Sequence, residues 1–212
     1  MAVVKFSALL IAAGDVDSSI LQNLVSEKKL CVAIDGGYHH CIKYEIIPDV
    51  AIGDFDSFNK SLIDERVDVI ESKSQNETDL VKAINWVISE GIKDIQIIGV
   101  ESGRSDHILG VYAALSELNQ ENMGDVEIEI HLNDFIVKYI PNNKPMKFSL
   151  NENTHVSLFC LSSSIVTLKG VKWTLDKEEL NFSTRGIHNY SIKEDVEIKI
   201  HTGGPALFFI NR

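Results

Sequence analysis

The hydrophobic pattern of this 212-residue chain changes period near Val126, and that change limits its architecture more than any single motif does. Up to that point, short apolar runs alternate with amphipathic segments. The runs Phe6 to Ala12, Leu30 to Ile34, Val50 to Ile52, Val67 to Ile70 and Ile95 to Val100 read as strands. Between the last two, Leu80, Val81, Ile84, Val87 and Ile88 recur at helical spacing, with Ser74 and Glu77 placed as a capping box and Gly91 as a stop. A second helix carries Ile108, Val111, Tyr112, Leu115 and Leu118 on one face, after Gly103-Arg104-Ser105-Asp106. Strands alternating with helices predict βαβ units around a parallel sheet, a Rossmann-like α/β domain. Beyond Val126 the apolar residues fall on every second position, as in Val126, Ile128, Ile130, Leu132 and again in Val196, Ile198, Ile200. Turn residues at Asn142-Asn143, Gly170 and Gly203-Gly204-Pro205 separate these runs, and the expected result is an antiparallel β-sandwich. The division expected is residues 1–132 for the α/β domain and 133–212 for the sandwich, with the junction between Asp125 and Tyr139.

Charge narrows the function classes. With 31 acidic against 20 basic residues and a formal charge of -11, the chain lacks the clustered cations of a nucleic-acid surface. No apolar run approaches the roughly 20 residues of a membrane span. Lys5 before the run Ala8 to Ala13 faintly resembles a signal peptide, but Gly14-Asp15 ends that run as a strand ends in a loop. Cys31, Cys41 and Cys160 are odd in number and form no C-x-x-C pair, so they read as buried thiols of a cytoplasmic protein.

The acidic residues are grouped. Asp54 and Asp56 flank Phe55 at the end of an apolar run, and in an extended segment side chains at i and i+2 share a side. Two such carboxylates repel unless a cation intervenes, and Mg²⁺ takes hard oxygen ligands together with substrate phosphates. Asp15, Asp35, Asp54 and Asp56 each follow or end a strand, which puts them on the rim where open α/β sheets bind ligands. Asp79 and Asp106 fall near helix starts, and Arg104 adds a forked donor suited to phosphate oxygens. Taken singly, Asp79 is an ordinary helix start, Asp35-Gly36-Gly37 an ordinary turn and Arg104 an ordinary surface ion pair. Their combination points to a metal-dependent phosphate chemistry. There is no G-x-x-x-x-G-K-[ST] loop, no G-x-G-x-x-G, and no G-x-S-x-G elbow around Ser57.

In order, Asp35-Gly36-Gly37, Gly53-Asp54-Phe55-Asp56-Ser57, Thr78-Asp79 and Gly103-Arg104-Ser105-Asp106-His107 resemble the motifs of the thiamine pyrophosphokinases. Gly170-Val171-Lys172-Trp173 and Gly186-Ile187-His188-Asn189 are similar to that family's thiamine-side motifs. The resemblance implies transfer of a diphosphate group from Mg-ATP to thiamine, giving thiamine diphosphate and AMP. It implies an α/β catalytic domain binding ATP and Mg²⁺, a β-sandwich binding thiamine, and a homodimer with thiamine between subunits. On the same ground Asp54, Asp56 and Asp79 would hold Mg²⁺ and the phosphates, with Asp35, Gly36 and Thr78 beside them. Arg104, Asp106 and His107 would complete that site, and Trp173, His188 and Asn189 would meet thiamine. A tryptophan in a sandwich otherwise fills its core; against thiamine, Trp173 would stack on the cationic thiazolium, a contact of about 0.5 to 2 kcal/mol. The chain departs from the family pattern at Asn76, Val81, Ser102 and His188, where acidic residues, a glycine and a serine are common. Two other readings compete: a non-catalytic sensor of nucleotide or thiamine diphosphate, and a Mg²⁺-dependent phosphohydrolase with Asp54 as nucleophile. The second suffers from Phe58, where the haloacid-dehalogenase pattern has Thr or Val.

Overall fold

A computed structural model of the chain describes residues 6–56, 58–71, 76–101, 104–118, 123, 125–142 and 144–212. Ser57, Ser74, Ser102, Gly103 and Asn143, singled out above, lie outside them. The chain forms two compact units, Met1–Leu118 with Asp125–Asn133, and Asn119–Gly124 with Asp134–Arg212.

The first unit is α/β. Its strands are β1 (Ser7–Ile11), β2 (Lys29–Ile34), β3 (Val50–Gly53), β4 (Asp68–Glu71), β5 (Asp94–Ile98) and β6 (Glu127–His131). They lie in the order β6-β5-β1-β2-β3-β4 and all pairs are parallel. Strand order reverses beside β1, the position of a ligand crevice in doubly wound sheets. The near-continuous burial of β1, β2 and β3 is what coverage on both faces demands. Helices α1 (Ser18–Leu24) and α2 (Tyr38–Lys43) contribute Leu21, Leu24, Tyr38 and Cys41 to a core with Leu9, Ile11, Ala33 and Ala51. Helix α3 (Asp79–Ser89) packs on β2 and β3 through its buried face, Leu80, Val81, Ala83, Ile84 and Val87, and also touches α4 (Ser105–Glu117).

Several expectations are corrected. The cap of α3 is Thr78, whose hydroxyl accepts from the Val81 amide, so the helix starts later than a Ser74 cap would have it. Gly91 does stop it, in left-handed backbone with φ 82°. The short α1 and α2 escaped the periodicity reading because 7 and 6 residues hold too few turns to show a stripe. Asp17 caps α1 by accepting from the Ser19 and Ile20 amides. The period-two run at Val126 opens with β6, which joins the parallel sheet; it alternates because Ile128 and Ile130 are buried while Glu127 and Glu129 are not.

The strand pairs of the second unit are antiparallel, as predicted, with one isolated parallel bridge between Asn142 and Ile200. One sheet has the order β12 (Asn189–Tyr190), β9 (His155–Cys160), β14 (Ala206–Asn211), β7 (Phe135–Ile140). The other has the order β11 (Leu175–Leu180), β10 (Ser164–Lys169), β13 (Asp195–Thr202), β8 (Met146–Ser149). Alternate residues of both sheets meet in one core, including Val156, Leu158, Val166, Leu168, Val196, Ile198, Ile200 and Phe208. Cys31, Cys41 and Cys160 are buried and no disulfide joins them. Burial pushes the Cys41 thiol up to about 12 and the Cys160 thiol up to about 11. Among the described residues, no helix is long and apolar enough to cross a membrane.

Phe208 is fully buried and its ring lies 5.2 Å from that of Phe148. Phe208→Ala should cost about 3 to 5 kcal/mol of stability, read from the denaturant midpoint at unchanged slope. A loss below about 1 kcal/mol would show that this core collapses around the cavity.

Candidate active site

The acidic site grows out of the register between β2 and β3. Ile34 lies beside Ile52, so the residues that follow, Asp35 and then Gly53-Asp54, leave the sheet as neighbours. Gly53 makes that approach feasible: a Cβ there would lie 3.0 Å from the Asp35 Cβ. Asp35 itself takes a positive φ of 42° and opens a 3-10 turn, Asp35–Gly37, that runs straight into α2. A Cβ on Gly37 would lie 2.0 Å from the Ile11 carbonyl oxygen, so this turn sits against the end of β1.

Asp54 and Asp56 come together by a different route from the extended pairing that their spacing predicts. β3 ends at Gly53, and Phe55 stands in left-handed backbone with φ 55°. That conformation costs a bulky residue roughly 1 to 2 kcal/mol. It is retained because the Phe55 ring is buried in the core of the first unit, with the Lys60 ammonium 5.3 Å from its centre. The chain folds back over this anchor, and the Asp56 amide donates to Asp54 Oδ1 at 3.1 Å.

Asp35, Asp54 and Asp56 each offer an oxygen within 4.8 Å of the others. The negative charge of Asp54 raises the Asp56 pKa first of all, followed by partial desolvation, a hydrogen bond with Asp54, and the charges of Asp35 and Asp79. This donor set is all hard oxygen, which fits a divalent cation such as Mg²⁺ and no soft metal. Asp35, expected only beside the metal, is therefore a full member of the cluster. Its signal was legible in the adjacency of two parallel strands that both end in aspartate.

Asp79 stands apart from this triad. It opens α3, and its Oδ1 pairs with the Lys82 ammonium at 2.9 Å, in a pair whose side chains are only 25% and 10% exposed. Thr78 serves as the cap of the same helix. Arg104 precedes α4, and its fork is occupied by Asp106: Nε donates at 3.1 Å and Nη2 at 2.7 Å to the two carboxylate oxygens. That contact holds the Asp106 carboxyl below its usual range. Both side chains are largely exposed, so the pair contributes little to stability. His107 follows in the exposed first turn of α4, its amide bonded to the Arg104 carbonyl. Asp15 bridges to Glu101 through its amide and lines a cavity of about 350 Å³ with His40, Lys43 and Asn133. A larger cavity, about 520 Å³ around Lys29, Cys31 and Asp49, lies at the amino ends of β2 and β3, opposite the carboxylates.

The second unit holds a cavity of about 450 Å³ lined by Lys172, Trp173, Thr174, Arg185, Gly186 and Asn189 among others. Trp173 does not fill the sandwich core; it is 58% exposed. His188 is exposed, sits in left-handed backbone with φ 59°, and donates its amide to Ser157 Oγ, while its neighbour Asn189 is buried. Arg185 escaped the sequence reading; it donates to the Glu179 carbonyl at 3.0 Å and pairs with Glu178, and its only sequence signal is its place before Gly186 in the turn.

Comparison with known proteins agrees with both units. Residues 21–126 match the family described as thiamin pyrophosphokinase, catalytic domain, and residues 140–206 match thiamin pyrophosphokinase, vitamin B1 binding domain. A thiamine pyrophosphokinase of Bacillus subtilis is 26% identical, over 71% of this chain and 85% of that protein. A Caenorhabditis elegans thiamin pyrophosphokinase 1 is 29% identical over 46% of this chain and 44% of its own. The crystal structure of the Bacillus subtilis enzyme superposes with a TM-score of 0.80 at 22% identity, covering 97% of this chain and 98% of the other. Yeast thiamin pyrophosphokinase gives 0.78 at 16% identity, covering 98% and 86%. At these identities the superpositions establish a shared fold.

Removing the charge of Asp54 removes the main cause of the Asp56 shift. Asp54→Asn should therefore move the Asp56 titration midpoint downward, followed by carboxyl NMR in metal-free protein. An unmoved midpoint would mean that the two carboxylates do not sense each other.

Proposed function

Because this chain belongs to the thiamin pyrophosphokinase family, we propose that it transfers the diphosphate group of Mg-ATP to the hydroxyl oxygen of thiamine, releasing thiamine diphosphate and AMP. The observation that carries this reading is the convergence of Asp35, Asp54 and Asp56 at the carboxyl ends of two adjacent parallel strands. Three carboxylates so close call for a counter-cation, and Asp35, Asp54 and Asp56 would hold it, with Asp79 adding charge nearby. Bound there, Mg²⁺ supplies charge neutralisation at the diphosphate.

The remaining steps fall to the chain itself. The Arg104 fork fits phosphate oxygens as it fits Asp106, so an incoming diphosphate can replace that partner. The starts of α3, at Thr78-Asp79, and of α4, at Arg104 to His107, add the partial positive charge of helix N-termini. The thiamine oxygen attacks the β-phosphorus, forming one P–O bond as the bond to the bridging oxygen of AMP breaks. The hydroxyl proton passes to a carboxylate of the site, Asp79 or Asp106. Positioning and electrostatic stabilisation supply the catalysis, as in phosphoryl transfers generally. In the second unit, the exposed Trp173 ring offers a face to the thiazolium cation. The family match favours neither the phosphohydrolase nor the non-catalytic sensor.

The same proposal carries a homodimer with thiamine between subunits, and the exposure of Trp173 supports it, since that ring leaves a face for a partner's ligand. A cytoplasmic setting fits the three buried thiols that form no disulfide.

Incubation with Mg-ATP and thiamine, with chromatographic separation of products, should give AMP and thiamine diphosphate in equal amounts, dependent on the metal. Asp56→Asn should lower kcat by about 10²-fold or more with the far-UV spectrum unchanged; normal turnover would remove Asp56 from the metal site. Sedimentation should give twice the chain mass of 23.6 kDa, and a stable monomer would sink a thiamine site shared between subunits.

A further inference from the structure

Segment 170–173 runs antiparallel to segment 189–192, joined by a bridge between Val171 and Ser191. The Ile192 amide donates to the Gly170 carbonyl and the Lys172 amide to the Tyr190 carbonyl, both at 2.9 Å. At Trp173 a side chain continues this ladder. The Trp173 amide donates to Asn189 Oδ1 at 3.1 Å, and Asn189 Nδ2 donates back to the Trp173 carbonyl at 2.8 Å. A carboxamide has the donor and acceptor geometry of a peptide unit, so Asn189 completes the pairing as another residue of strand would. Its Oδ1 also accepts from the Tyr190 amide at 3.0 Å. Asn189 is 4% exposed and Trp173 is 58% exposed, so the bonding is sealed inside while the ring it carries stays outside. Tyr190 meets that ring edge-on, with centroids 5.8 Å apart.

We infer that Asn189 is a positioning residue that fixes the Trp173 ring beside the cavity by clamping both polar groups of the Trp173 backbone, and that it does not itself recognise the ligand. The ligand class is a flat organic cation, which an indole face held in place attracts and which an unheld ring would have to order on binding. Because the three bonds of the Asn189 carboxamide among the described residues all go to backbone, its side chain acts through Trp173 and Tyr190. The kinetic consequence rests on the proposed thiamine chemistry; the structural consequence does not.

The test uses the full chain with Trp86→Phe, which leaves Trp173 as the sole tryptophan of the two. Time-resolved anisotropy of Trp173 should show a larger fast component in Asn189→Ala. Asn189→Asp, equal in shape but unable to donate to the Trp173 carbonyl when ionised, should shift in the same direction and serves if the alanine variant does not fold. In turnover assays Asn189→Ala should raise the KM for thiamine about tenfold, the value of one lost contact of this strength, with kcat changed less than about threefold. In a Trp173→Ala background the same substitution should add nothing to KM. Unchanged anisotropy in both variants, or additive effects on KM, overturns the inference and makes Asn189 a direct ligand contact. If the parent protein does not turn thiamine over, the proposed function fails, and the anisotropy still decides whether Asn189 clamps Trp173.

Discussion

Mutual repulsion among Asp35, Asp54 and Asp56 is the constraint around which the first unit is arranged. Parallel strands make it unavoidable: with Ile34 level with Ile52, the first residues beyond β2 and β3 emerge side by side, and here both exits carry a carboxylate. The chain holds this charge in place by steric means. Gly53 lets the two backbones close to contact, and the buried Phe55 ring forces the turn that brings Asp56 back toward Asp54. The unfavourable backbone at Phe55 and the raised Asp56 pKa have one origin, a loop shaped for a charge that the protein alone does not carry.

The second unit solves the opposite problem. Its task is to keep a large apolar ring in water without letting it collapse onto the sandwich core. The core is already filled by alternate residues of two sheets, including Phe208 and Val166. Trp173 lies past the end of β10, where its backbone is tied to Asn189 and its ring is flanked by Tyr190. One unit therefore fixes ionic groups by apolar packing, and the other fixes an apolar group by polar bonding.

Much of this was legible in the residues. The change of period near Val126 announces the antiparallel unit one strand early, because β6 alternates buried and less buried residues while still pairing in parallel with β5. The rim of aspartates was legible because strand ends mark it. What escaped reading was short or local: α1 and α2 span too few turns, and the Asp54–Asp56 approach depends on one residue's φ, which no residue type announces when that residue is phenylalanine. The pairing of Arg104 with Asp106 was hidden for a similar reason, since two residues separate equally in a helix start and in an open loop. The exposure of Trp173 went against the usual fate of tryptophan, and the bonds that tie its backbone to the Asn189 side chain have no sequence spacing to announce them.

The burial of Cys41 has a consequence for chemical durability. This thiol sits in α2, which continues directly from the Asp35–Gly37 turn, and burial pushes its pKa up to about 12, which disfavours the thiolate. Peroxide and electrophiles attack the thiolate, not the thiol. The helix that follows the Asp35–Gly37 turn therefore carries a sulfur atom that oxidants reach slowly, and the backbone leading away from Asp35 is insulated from redox damage at Cys41.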